Sequence, residues 1–138
     1  MLMAAAHGVR AEAARLRVKR PQVLAVTILT SVSNAHASRM NAHVLALAQG
    51  ALQAGCDGVV ASAEEASALR RRFGARLRVV CPGIRPAGVR SDDQRRVMSP
   101  HEALAKGADL LVIGRPITAA SRPREAVQRI LNEMEEGT

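Results

Sequence analysis

Two stretches of this chain carry the same pattern: Ala54-Gly55-Cys56-Asp57-Gly58-Val59-Val60 and Lys106-Gly107-Ala108-Asp109-Leu110-Leu111-Val112. Each reads as a helix end, a glycine stop, an aspartate and a short apolar run with the character of a buried strand. A chain that repeats helix, stop, strand in this way is driven towards parallel βα units, because parallel neighbours need a crossover and a helix is the usual one.

The rest of the chain agrees with that alternation. Met1 to Val18 reads as an Ala-rich helix ended by Lys19-Arg20-Pro21, and Gln22 to Leu29 as a strand buried on both faces. Val44, Leu45, Leu47, Ala48, Ala51 and Leu52 trace one face of a helix that stops at Gly55, and Gly58 to Ala61 is the next strand. Ser62 with Glu65 is a capping-box pattern opening a helix to about Arg72, and Leu77 to Cys81 is the third strand. Ser99-Pro100-His101-Glu102 is a second box, predicting a short helix to Lys106. Leu110 to Ile113 is the fourth strand. Val127, Ile130, Leu131 and Met134 form the stripe of a last helix, with Pro123 near its start.

With 138 residues the expected unit is one domain spanning 1–138. No apolar run approaches the ~20 residues of a membrane span, and the Arg-punctuated start reads as a helix rather than a signal peptide. Cys56 and Cys81 sit in strand-like contexts, which predicts free buried thiols and a cytoplasmic setting. His7, His36, His43 and His101 share no ligand spacing, so neither a metal nor another cofactor is expected. Asp57 and Asp109 precede strands, at the end of a βα fold that serves stability, and are assigned to structure. Arg70-Arg71-Arg72 reads as an exposed helix end, where positive charge suits the dipole. The net charge of +8 invites a nucleic-acid reading. Against it, the arginines are scattered over the predicted helices, and Phe73 is the only aromatic on which a base could stack.

Two strand ends carry chemistry. Val79-Val80-Cys81 stops at Pro82-Gly83 and is followed by Arg85 and Gln94, and Leu110 to Ile113 stops at Gly114-Arg115. Glycine lets backbone N–H groups approach a ligand, and a guanidinium offers a bidentate fork, so the pair suggests a pocket for a phosphate-sized anion. In parallel βα folds ligands bind beyond the C-terminal strand ends, where Thr30, Ser62, Arg85 and Arg115 fall.

The segments AVTILTS (25–31), AGCDGVVAS (54–62), VVCPGIRP (79–86), DDQRRVMSP (92–100) and GADLLVIGRPIT (107–118) resemble the C-terminal half of bacterial orotidine 5'-phosphate decarboxylases, which convert OMP to UMP and CO2 in pyrimidine biosynthesis. The resemblance implies an α/β fold of the (β/α)8 TIM-barrel family, here four βα units (barrel strands five to eight) preceded by a helix: a half barrel. It implies substrate-binding roles for Thr30, Arg85, Gln94, Gly114 and Arg115, with Gln94, Gly114 and Arg115 at the phosphate end, and places Pro82-Gly83 near the pyrimidine. The family's Asp-x-Lys-x-x-Asp catalytic motif has no counterpart here. The only lysines are Lys19 and Lys106, preceded two positions earlier by Arg17 and Leu104. No catalytic residue is therefore expected in this chain. The expected partners are a nucleoside monophosphate (OMP or UMP) and either a second copy or a complementary N-terminal half barrel. The alternative is a non-catalytic half barrel that self-associates and at most binds nucleotide phosphate. In either case an open four-stranded parallel sheet would expose its edges and an apolar face.

Overall fold

The computed structural model of the protein describes residues 1–28, 37–86 and 98–135. In chain order the elements are α1 (Leu2–Leu16), β1 (Leu24–Val26), α2 (Ala37–Gln53), β2 (Gly58–Val60), α3 (Ala63–Phe73), β3 (Arg78–Pro82), α4 (Pro100–Ala105), β4 (Leu110–Val112), α5 (Arg115–Thr118) and α6 (Pro123–Glu135), with a single 3₁₀ turn at Gly74–Arg76. The four strands make one sheet in the order β1-β2-β3-β4, every pair parallel. Strand order thus follows chain order, the arrangement of βα units laid side by side.

Local chemistry sets the helix ends. Both predicted capping boxes form. Ser62 N–H donates to Glu65 Oε2 at 2.7 Å, and Ser99 N–H to Glu102 Oε2 at 3.0 Å with Pro100 in the first turn. Those bonds favour the ionised Glu102 carboxylate and hold its pKa below the ordinary value. The first helix ends at Leu16, short of the expected Val18, because Arg17 turns left-handed at φ 53°. Its N–H bonds Ala14 O, and Val18 N–H reaches back to Ala13 O, closing a Schellman-type cap on a residue other than glycine.

The core lies between one face of the sheet and the helices. Ala25, Val59, Val79 and Cys81 point into it and meet Val44, Ala48 and Ala51 of α2, Ala66, Leu69 and Phe73 of α3, and Ala103 of α4. Leu47, predicted on the buried face of α2, is 38% exposed. Its neighbours Leu45 and Leu52 take the flanks of the stripe. On α6 the predicted stripe divides. Ile130 is buried, whereas Val127 and Leu131 face an open apolar groove of about 360 Å³ along the β4 edge.

The first strand is shorter than the sequence suggests: Leu24–Val26 replaces Gln22–Leu29. As an edge strand it pairs only with β2, whose three residues limit the ladder. Nor is it buried on both faces, since Val26 is 62% exposed. Three-residue ladders hold register weakly, and the aspartates of the repeated heptapeptide supply what the ladders lack. Asp57 N–H donates to Val23 O at 2.8 Å while Asp57 Oδ2 accepts Val23 N–H at 2.7 Å. Asp109 makes the same two bonds to Val79, at 2.8 and 2.7 Å. Each carboxylate also holds an arginine, Arg20 for Asp57 and Arg70 for Asp109. Arg70 is therefore no exposed helix-end charge: its guanidinium bonds Gly107 O, Gly74 O and Asp109 together.

The Arg20 hydrogen bonds, with a smaller contribution from Val23 N–H, hold the Asp57 carboxyl below its ordinary pKa. A carboxyl depressed on folding stabilises the native state above its unfolded pKa and loses that contribution as pH falls through the folded value. Asp57→Asn should destabilise the chain by about 1–2 kcal/mol at pH 7. Urea unfolding followed from pH 7 to pH 3 should show that gap constant above about pH 5 and closing below it. Arg17→Gly, which removes the left-handed penalty, should raise stability by up to about 1 kcal/mol, read as an upward shift in denaturant midpoint with unchanged slope.

Candidate functional site

The C-terminal ends of the strands form one rim of the sheet. β1 runs out at Thr27, whose Oγ1 donates to Val60 O at 2.9 Å and secures it to β2. β2 runs into Ser62, the cap of α3, whose hydroxyl accepts Glu64 N–H at 3.4 Å. β3 ends at Pro82 and turns at Gly83, where φ is +78°, a backbone that favours glycine. A shallow crevice between these ends is lined by Ser62, Ala63, Glu64, Pro82, Gly83, Ile84 and Met98.

Beyond Gly83 the chain is pinned again. Ile84 and Met98 form a parallel bridge, and Arg85 N–H donates to Met98 O at 3.0 Å. Both ends of the connection from β3 to α4 are thereby anchored at the rim. Arg85 itself is 8% exposed, an unusual state for a guanidinium. Nη1 donates to Ile84 O at 3.0 Å, and that is the side chain's one protein acceptor among the described residues. A guanidinium has five N–H donors, so Arg85 keeps hydrogen-bonding capacity in a place shielded from water.

The neighbouring strand, β4, leads through Gly114 into Arg115 at the start of α5. Gly114 O accepts Ile117 N–H and Thr118 N–H, which fixes the turn. A Cβ built on Gly114 would meet nothing within 4 Å, so the backbone here has open space beside it. Since β3 and β4 are hydrogen-bonded neighbours, Arg85 and Gly114-Arg115 follow adjacent strand ends on one rim. Thr30 and Gln94, the other residues singled out from the sequence, lie outside the described residues.

Other groups near the rim are chemically quiet. Burial pushes the Cys81 thiol up to about 12, with Glu65 and Asp109 adding to the effect, so it stays protonated at neutral pH and is no nucleophile. Glu65 is buried and engaged in its capping box. Among the described residues no three His, Cys, Asp or Glu side chains gather as a metal site, and no helix is long and apolar enough to cross a membrane. What sequence reasoning did not foresee is the burial of Arg85 and the part of Met98 in holding it. No local pattern signals a bridge between residues that far apart.

Comparison with known proteins fits this geometry. An orotidine 5'-phosphate decarboxylase from Moorella thermoacetica is 48% identical over 143 aligned positions, covering 98% of this chain and 56% of that protein. One from Nitrosococcus oceani is 50% identical over 120 positions, covering 83% of this chain and 52% of that protein. The crystal structure of orotidine 5'-phosphate decarboxylase from Lactobacillus acidophilus superposes with a TM-score of 0.76 at 35% identity, over 97% of this chain and 58% of that one. The chain thus spans about half the length of these relatives, and its four parallel strands correspond to half of a TIM barrel. Residues 1–130 match the family described as orotidine 5'-phosphate decarboxylase / HUMPS. With a rim arginine following each of two adjacent strands and this match along nearly its whole length, the chain belongs to the orotidine 5'-phosphate decarboxylase / HUMPS family.

Proposed function

We propose that this chain, as one domain over 1–138, is the nucleotide-phosphate half of a decarboxylase-type barrel. In this reading Arg85, Gly114 and Arg115, together with Thr30 and Gln94, hold a nucleoside monophosphate of the OMP/UMP type. The observation that carries it is Arg85: a guanidinium 8% exposed, with one protein acceptor among the described residues, at the strand end next to Gly114-Arg115. A phosphate dianion is the natural complement. Its oxygens accept charge-assisted bonds from a guanidinium fork, and the open space at Gly114 admits close approach of the backbone.

Decarboxylation of OMP to UMP and CO2 asks for more. The proton donor and the charge that acts on the departing carboxylate belong to an Asp-x-Lys-x-x-Asp motif, to which neither Lys19 nor Lys106 conforms. The contribution of this chain to the reaction is to bind and orient the substrate by its phosphate, placing the pyrimidine near Pro82-Gly83. The catalytic carboxylates and lysine come from a complementary half. A cytoplasmic setting suits both the reaction and the two unpaired buried thiols, Cys56 and Cys81.

Calorimetric titration with UMP tests the reading. Saturable binding is expected, weakened at least tenfold by Arg115→Ala, a loss of about 1.4 kcal/mol or more. A parent chain that shows no saturable heat with UMP would sink the claim of a nucleotide site.

A further inference from the structure

The sheet has a second face, turned away from the helices. Strand alternation puts Leu24, Gly58 and Arg78 in one cross-strand row on it and Val26, Val60, Val80 and Leu110 in the next, with Pro82 and Val112 paired beyond. The side on which Arg78 lies is fixed by Gly58. A Cβ built there would sit 2.6 Å from Arg78 Cβ and 2.9 Å from Leu24 Cδ2, so all three share the face. Much of it is apolar and open: Val26 is 62% exposed, Val112 52% and Leu110 44%. Through Leu110 it is continuous with the groove between β4 and α6. Both flanking strands, β1 and β4, have a neighbour on one side only.

Arg78 is the single charged residue in these rows. Among the described residues these rows hold no carboxylate, and the Arg78 side chain has no acceptor or ion-pair partner. Asp109, the acid that opens the neighbouring strand, is already committed to Arg70 and Val79 N–H. An apolar face with one unneutralised guanidinium is a poor match for itself. If two copies closed their sheets about a two-fold axis, their β3 strands would stand opposite each other. The two Arg78 side chains would then meet in the interior at one height, with no counter-charge from the strand rows of either copy. Like charges brought together out of water oppose association, whereas an opposite charge at the same place favours it.

We propose that this face docks a second parallel βα half-sheet that presents an inward Asp or Glu at the height of Arg78, and that Arg78 excludes a second copy of this chain from that place. The proposal rests on the half-barrel reading and adds the chemistry of the partner. It makes Arg78 a residue of pairing specificity, set by charge rather than by shape, since shape alone would admit either occupant.

The chain itself supplies a probe of the required chemistry. Arg78→Glu is the same half-sheet with a carboxylate in place of the guanidinium. Sedimentation velocity over a concentration series would be run on wild type, on Arg78→Glu, on their equimolar mixture and on Arg78→Leu, with far-UV circular dichroism to verify each fold. The mixture should pair at least tenfold more tightly than wild type or Arg78→Glu alone. Arg78→Leu, freed of repulsion, should self-pair more tightly than wild type. Wild type that self-pairs within threefold of the mixture would overturn the proposal and name a second copy as the occupant. A mixture that fails to pair would overturn the carboxylate requirement, whatever Arg78→Leu does. Mass is the readout throughout, so a failure here and a failure to bind UMP remain separate results.

Discussion

The aspartate that opens β2 and the one that opens β4 hold this sheet in register, and much of the remaining structure depends on them. Ladders of three residues give few hydrogen bonds and small cross-strand contacts, and a slip by one residue would turn each core side chain outward. Asp57 and Asp109 prevent it by gripping Val23, which leads into β1, and Val79 of β3 from both sides, backbone to carbonyl and carboxylate to N–H. The arginine beside each neutralises the carboxylate and, for Arg70, ties the helix layer to the same point through Gly107. With register secured, Val59, Val79 and Cys81 face the helices, and the strand ends arrive level at the rim.

That core is built of small side chains. Alanines of α2, α3 and α4 lie at essentially no exposure against valines of the sheet, so helices sit close to the strands while each residue contributes little buried area. Leu69, Leu77 and Phe73 supply the larger pieces. The two faces of the sheet therefore have different duties. One is closed and apolar, and the other is open and carries Arg78. Close packing on the first aligns the rim that bears Arg85 and Arg115. The charge on the second discriminates among surfaces that could cover it.

Features governed by neighbours along the chain were legible in the sequence. Both capping boxes form at the predicted residues because Ser62 with Glu65, and Ser99 with Glu102, satisfy each other within one turn. The parallel alternation followed from the repeated heptapeptide for the same reason. Features governed by distant partners were not. The length of β1 is set by β2, so an eight-residue run with seven apolar or β-branched residues yields a strand of three. Arg70 looks like any helix-end arginine until the residues 37 and 39 positions away that hold it are known. At the rim, the Pro-Gly turn and the two arginines could be read directly. The burial of Arg85 could not, since it depends on Met98 returning beside Ile84.

A sheet whose spatial order repeats its chain order has a consequence for how it is made. Each strand docks on the one completed just before it, and the Asp57 and Asp109 clips join residues 34 and 30 positions apart. No strand waits for a partner from the far end of the chain, so the loop entropy to be overcome at each step is modest and nearly equal. Assembly can advance unit by unit as the polypeptide leaves the ribosome, each new strand finding a finished edge as its template.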